Sequence, residues 1–592
     1  MSDFLVICLG YVLATSLLAA SLILFVQLGR RFGLDEWMAA GFGFVCLGCA
    51  GYAGFLIYLL SVPIGTVVSL AYLAVLIVLV AHALWTRRAP PRELAQAMAL
   101  AALFGFLYLS LLLAYVPKYS ADVPAEVYFE FPRPHDQKIP LMFAEAIHDR
   151  LPSRVGKDLW GWYFSDRPPL QAGFVLLFSP IWNLVARPIA YQAIATALQT
   201  SCLIAAWLLL RTLGFRYRET LLAVLATGAS GFLYYNSVYA WPKLLTATFV
   251  LVAIAPLAKA FLARKRPSAS AAAISAAAAA LAMLAHGGAI YSLVPLAILL
   301  CLRIAHLFSL RALAIGAAAI VVLYGPWIAY GRYVDPNTSR MFKEHLTGSN
   351  SPEPFWQALF QAYRDDTAEH WALERLHNAR KQFRDEGLDR LIVQVARGVH
   401  DARLQALTRL ESSSDIKAER LRFDLVSLGA LLRTDQREIV FRALGLLNVA
   451  WPLLILLLLL RRRLSGVDPP LVFLLALNVL TSVWWSIAEF VGGTTVITHS
   501  SFAMVLIAFL SATIILARVS DRFAMMIAAA NAALSAVIWV VLAPGPYWSE
   551  PRNNAAVLAA IAGAAAIVAF AWALFRAETR IRTGRRTDRL PA

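Results

Sequence analysis

Apolar residues run through this chain in long unbroken stretches, and polar residues gather in short clusters between them. About twenty apolar residues in a row is the helical length that crosses a bilayer core of about 30 Å. The stretches are continuous rather than alternating, so they predict helices and not barrel strands. We place about 15 spans, near 4–28, 38–60, 65–85, 95–116, 189–210, 219–236, 240–262, 269–287, 289–305, 308–330, 439–460, 467–490, 500–518, 523–543 and 553–576. The expected class is all-α, a polytopic transmembrane helical bundle. Four segments follow from it: an N-terminal three-span unit (1–94), a transmembrane module (95–330) with a first polar loop (117–188), a helical loop (331–438), and C-terminal spans with a basic tail (439–592).

Basic residues set sidedness, because short cytoplasmic loops are enriched in Lys and Arg. Arg30, Arg31, Arg87, Arg88, Arg211, Arg216, Arg218, Arg264, Lys265, Arg461, Arg462, Arg518 and Arg522 all fall on one side if the N-terminus is outside and the C-terminus inside. This holds only if the apolar segment Leu170–Ala186 does not span, so it is expected as a juxtamembrane helix in the outer interface. Both long loops then face outside. In the second, stretches such as FWQALFQAYRDD read as amphipathic helices.

Composition agrees with a membrane class. The 592 residues are 60% hydrophobic and only 15% charged, where a soluble chain carries about 25% charged. The net charge of +17 lies at helix ends, which makes it a topology signal and no sign of nucleic acid. Cys46 and Cys49 form a CxxC inside an apolar run, where packing is the expected role. Walker A, HExxH and GxSxG motifs are absent. The Ala- and Arg-rich usage points to a bacterial inner membrane.

The first loop is dense in polar and aromatic groups. It carries HDQKIPLMFAEAI, with Asp136, and then Trp160 and Trp162, whose rings suit a sugar or the interface. SDRPPLQAGFVLL follows, with Asp166 and Arg167. Further on come GFLYYNSVYAWPKLLTATF, LAHGGAIYSLVPL and GPWIAYGRYVDPNTSRMFKEHL. In this order the motifs resemble the GT-C superfamily of membrane glycosyltransferases, closest to the lipid A aminoarabinose transferases and protein O-mannosyltransferases. The resemblance covers roughly Ala95 to Leu346. The three N-terminal spans and the stretch 347–438 have no counterpart in it.

The resemblance implies a sugar transferred from a polyprenyl-phosphate donor to a lipid, glycan or protein acceptor on the outer face. It makes Asp136 the general base. The alternative is that Asp136 caps a helix starting near Ile139. Arg167 matches the family's cation beside the donor phosphate, and its alternative is an ion pair with Asp166. Lys243 departs from the pattern, because metal-using members carry an acid there. A lysine cannot ligate Mg²⁺ or Mn²⁺, so a divalent cofactor is disfavoured and none is assigned. Lys243 would instead supply the positive charge, or it snorkels to the surface. His286 falls where relatives often have a phosphate-contacting lysine, and a structural histidine is its alternative. Asp166, Trp160, Trp162, Lys343, Glu344 and His345 are candidates for touching sugar or acceptor. Glu489 and His499 are ionisable groups near the membrane that no motif supports. The rival classes are a polyprenyl-linked lipid or polysaccharide transporter and a non-catalytic assembly factor of the same build.

Overall fold

The computed structural model describes residues 3–85, 90–115, 123–125, 135–150, 163–302, 309–349, 353–364, 366–382, 440–460, 468–490, 501–541 and 553–587. Among these the regular elements are all helices. Eleven are long and apolar enough to cross a membrane, or twelve if the pair Tyr217–Gly228 and Gly231–Val238, bent by 63°, is one span. The other expected spans fall in shorter apolar helices, Ala269–Ala285, Gly287–Cys301 and Arg442–Leu456. The expected count of about 15 full crossings is therefore reduced to eleven or twelve among the described residues, and three expected spans are helices shorter than a full crossing.

Helix starts follow simple capping chemistry. The Asp35 side chain accepts from Met38 N, Ser268 from Ala271 N and Ser309 from Ala312 N. Each cap satisfies an otherwise orphaned first-turn amide, worth about 1 kcal/mol. The helices Arg187–Thr200, Cys202–Thr212, Lys243–Ala263 and Phe502–Val519 are almost wholly buried and form the centre. Val62–Trp85 lies at the edge and exposes Ile64, Val67, Leu70 and Ile77, an apolar face of the kind that meets lipid tails.

Ion pairs sort the helix ends into two faces. Arg211 pairs with Glu93, Lys259 with Asp35, Arg218 with Glu578 and Asp521, and Arg518 with Glu219 and Asp468. Every one of these residues lies at a helix end that the charge pattern assigns to a single side. At the opposite ends, Asn553 N donates to Ala114 O, and Tyr115 Oη to Val540 O.

The segment 170–186 forms a helix, Leu170–Leu177, and a 3-10 turn, Ser179–Asn183. Eight residues rise about 12 Å, too short to cross. It differs from the expected surface helix in being buried along its whole length, packed beneath Glu36–Leu60. Glycines permit that approach. A methyl at Gly173 would run into the Gly51 carbonyl oxygen, and one at Gly54 would meet the Gly173 oxygen at 2.9 Å. Small residues are how helix backbones come close in a membrane. Gly173→Ala is expected to cost about 1–3 kcal/mol by overpacking, read as a lower unfolding temperature in detergent.

Candidate functional site

The site begins where one helix ends and another starts. After Val238 the chain turns through Ala240, whose φ of 55° is left-handed, a conformation that costs a non-glycine residue about 1–2 kcal/mol. Tyr191 Oη and Gln171 Nε2 hold it there by donating to the Ala240 carbonyl at 2.9 and 2.6 Å. Pro242 then opens the helix Lys243–Ala263. Lys243 is buried, with Nζ 3.7 Å from the Trp241 ring centroid and 5.6 Å from that of Phe502. Aromatic faces of this kind stabilise a cation.

His286 ends the helix Ala269–Ala285 and turns the chain into Gly287–Ala289. Its Nδ1 accepts from Gly288 N at 2.9 Å, so Nε2 is the donor nitrogen of the neutral ring. Lys243 and His286 line one small cleft with Thr246, Gly288, Ser292 and Ser501. Arg167 and His345 stand outside that lining, yet their charges lie close enough to act on His286, as does that of Lys243. Arg167 is itself buried. Two groups able to carry positive charge, from separate stretches of chain, thus line one small space.

Asp166 is differently employed. Its carboxylate takes Tyr163 N at 2.8 Å and both Nε and Nη2 of Arg340, at 3.2 and 2.5 Å. Beside it Ser165 Oγ donates to Asp335 at 2.6 Å. These bonds fasten the end of the first loop to the start of the second. The partner of Asp166 is therefore Arg340, not the Arg167 considered in the sequence.

Asp136 lies in the 3-10 turn His135–Lys138, and Ile139–His148 follows as expected. The Asp136 side chain lies outside the described part. Lys138 is the N-cap residue, and its own side chain makes no capping hydrogen bond. The turn is tied to the Lys243 helix through one buried network. Tyr191 Oη donates to Gln137 O at 2.5 Å, Gln171 Nε2 reaches Tyr191 Oη, Gln199 Nε2 reaches Gln171 Oε1, and Leu245 N donates to Gln199 Oε1. Gln171, Tyr191 and Gln199 were not among the sequence candidates. Their signal was present, since glutamines inside apolar runs are costly unless bonded.

Of the second-loop candidates, His345 Nδ1 lies 3.0 Å from Glu489 Oε1. Lys343 is buried and donates to Glu353 O at 2.9 Å, and half-buried Glu344 occupies the same short helix, Arg340–Thr347. Glu489 is fully buried and also accepts from Tyr291 Oη at 2.6 Å. Its carbonyl takes Arg375 Nη1 and Asn378 Nδ2, both at 2.6 Å. Trp160, Trp162, His499 and residues 383–438 lie outside the described residues. Asp366, His370 and Glu374 bring three ligand-type atoms together. The hydrogen bond that His370 Nδ1 donates to the Asp366 carboxylate, at 2.5 Å, holds His370 above the usual imidazole range. An ion pair on an exposed helix accounts for that group. The five cysteines are all free thiols.

No family model, curated protein or solved structure matches this chain. Its architecture is that of a helical integral membrane protein.

Proposed function

We propose that the chain is a GT-C type glycosyltransferase of the bacterial inner membrane, with its N-terminus outside and its C-terminus in the cytoplasm. It takes a sugar from a polyprenyl-phosphate donor and passes it to a lipid, glycan or protein acceptor on the outer face. The observation that carries this reading is that Lys243 and His286, named from separate motifs, line one cleft. Fixed cations in a dry site stabilise the negative charge that grows on a departing phosphate. Asp136 takes the acceptor's proton as its oxygen attacks the anomeric carbon in line, so the configuration inverts. Lys243 supplies the charge that a metal ion would otherwise bring.

One observation favours the rival reading of a transporter. The break between Tyr217–Gly228 and Gly231–Val238 is the kind of interrupted span that transporters use for binding. Here, though, the freed backbone groups go to protein side chains. Gly228 O accepts from Tyr108, and Gly231 N donates to Ser535 Oγ at 3.2 Å. That leaves the break serving the fold rather than a ligand.

The test is transfer from a labelled polyprenyl-phosphate donor in membranes. Asp136→Asn is expected to lower it at least about 10²-fold, and Arg167→Ala comparably. Full transfer by both folded variants would remove the enzyme reading. Passage of the intact donor between leaflets of proteoliposomes, with no transfer, would replace it by transport.

A further inference from the structure

The second-loop helix Ala368–Lys381 runs beside the last turns of the membrane helix Pro469–Ala488, bonded to it in antiparallel order. Arg375 Nη1 donates to the carbonyls of Ile487 and Glu489 at 2.8 and 2.6 Å. Further along, Asn378 Nδ2 donates to Ser486 O at 3.2 Å and to Glu489 O at 2.6 Å. Further still, Gln382 Nε2 donates to Ser482 O at 3.0 Å and to Ser486 Oγ at 2.5 Å. Each step forward along the loop helix is thus a step back along the span. Arg375, Asn378 and Gln382 are all buried.

The span itself sets the depth. Pro469–Ala488 starts next to Asp468, which pairs with Arg518 in the layer of ion pairs at one face of the bundle. Its 20 residues rise about 30 Å, one hydrocarbon thickness, so Ala488 marks the opposite boundary. From Glu489 back to Ser482 is about 10 Å. The Gln382 end of the loop helix is therefore about 10 Å inside that boundary, while its Ala368 end stands clear of it. Polar side chains at such a depth are costly unless bonded, and the amides of Asn378 and Gln382 both donate to the span.

The other side of the loop helix carries Glu369, Leu373, Leu376 and Arg380 at helical spacing, all exposed, Leu373 by 58% and Leu376 by 47%. By the same register Leu376 is level with the end of the span, and Arg380 lies deeper. Cα–Cβ bonds lean toward a helix's N-terminus, here the end nearer water, so the Arg380 head can rise to the headgroups while its stem lies along acyl chains. The helix Phe355–Arg364 stands at the same level, since the Tyr363 ring lies 5.6 Å from that of Phe490, just past the span. It buries Ala358 and exposes Trp356, Phe360 and Tyr363, and aromatic rings settle at the membrane–water boundary. We propose that these two helices form a wedge seated in the leaflet on the cleft side, with phospholipid as the partner of Leu373, Leu376, Trp356 and Phe360. The wedge bears on the cleft through Phe355, whose ring packs 5.5 Å from that of Phe342, and a methyl on Gly287 would meet Phe342 at 3.6 Å. It holds whatever the cleft binds.

A fluorescent depth probe tests this. The five cysteines are replaced by alanine, and bimane is attached at Leu376→Cys or at Glu369→Cys, about two turns nearer the water on the same face. The full chain is reconstituted in phosphatidylcholine vesicles. At Leu376→Cys, phosphatidylcholine with a nitroxide near the top of its acyl chain is expected to quench more strongly than aqueous iodide, and at Glu369→Cys the order is expected to reverse. Equal access of iodide at both positions puts the face in water and overturns the inference. Shielding of Leu376→Cys from both quenchers means that protein covers it, a second copy of the chain included, and overturns it too. Should the cysteine-free chain fail to fold, the wild type in vesicles is labelled with a phospholipid carrying a diazirine on its acyl chain. Label is expected in the segment holding Leu373 and Leu376, and its absence there overturns the inference.

Discussion

Lys243→Met is expected to abolish binding of a prenyl phosphate. The reason lies in where the lysine stands. It is the first residue of the helix Lys243–Ala263, and a helix N-terminus carries about half a positive charge, which favours acids and disfavours cations by about 0.3–1 kcal/mol. Three of the first-turn amides are already engaged: Lys243 N with Trp241 O, Leu245 N with Gln199 Oε1, and Thr246 N with Pro242 O. What the position adds is therefore charge. Trp241 and Phe502 offset part of its burial. An anion in the cleft would face both the ammonium and the positive end of the helix dipole.

Methionine keeps the volume of the lysine stem and removes the charge. Thermal unfolding in detergent separates the two effects. A ligand at about 100 times its Kd stabilises a protein by about 2.7 kcal/mol, so farnesyl phosphate is expected to raise the unfolding temperature of the wild type and not that of Lys243→Met. Transfer is expected to fall about 10²–10³-fold, the usual effect of removing one preorganised charge-stabilising group. A variant that keeps the full ligand shift would place the phosphate elsewhere. One that unfolds far below the wild type without ligand would make Lys243 a structural residue.

The spans were legible because lipid admits few backbone solutions. An uninterrupted apolar run must satisfy its own hydrogen bonds, and Phe4–Arg31 or Arg92–Tyr115 had no alternative to helix. The charge pattern places Arg218 and Glu578 on one side, and the two pair across 360 residues. Shorter helices were less legible. Hydropathy alone does not show that Gly228–Gly231 breaks a span, since the bend depends on Tyr108 and Ser535, remote in sequence, taking the freed backbone groups. At the site, Lys243, His286 and Arg167 could be named one at a time from their motifs, but their sharing of one space is a property of packing. Glu489 shows the limit most clearly. In sequence it is an isolated acid at the end of an apolar run, and its meaning comes from Tyr291 and His345, nearly 200 and 144 residues away.

Arg340→Ala is expected to destabilise the protein by about 3–5 kcal/mol, the penalty for leaving a buried charge without its partner. The Asp166 carboxylate has no exposed surface. Once Arg340 is gone, Tyr163 N is the remaining donor described for it. The pair is bidentate, which makes it stronger than a single contact, and Arg340 also covers the Tyr163 ring at 5.0 Å. A double-mutant cycle with Asp166→Asn and Arg340→Gln, followed by thermal unfolding in detergent, is expected to give a coupling energy of at least about 2 kcal/mol. A coupling under about 1 kcal/mol would rank the pair with exposed surface bridges. The loss should also reach the cleft. Asp166 precedes Arg167, and the Arg340 helix carries His345, so this one ion pair helps fix how Arg167 and His345 stand relative to each other. Folded Arg340→Ala is therefore expected to bind farnesyl phosphate more weakly, although Arg340 itself lies outside the cleft wall.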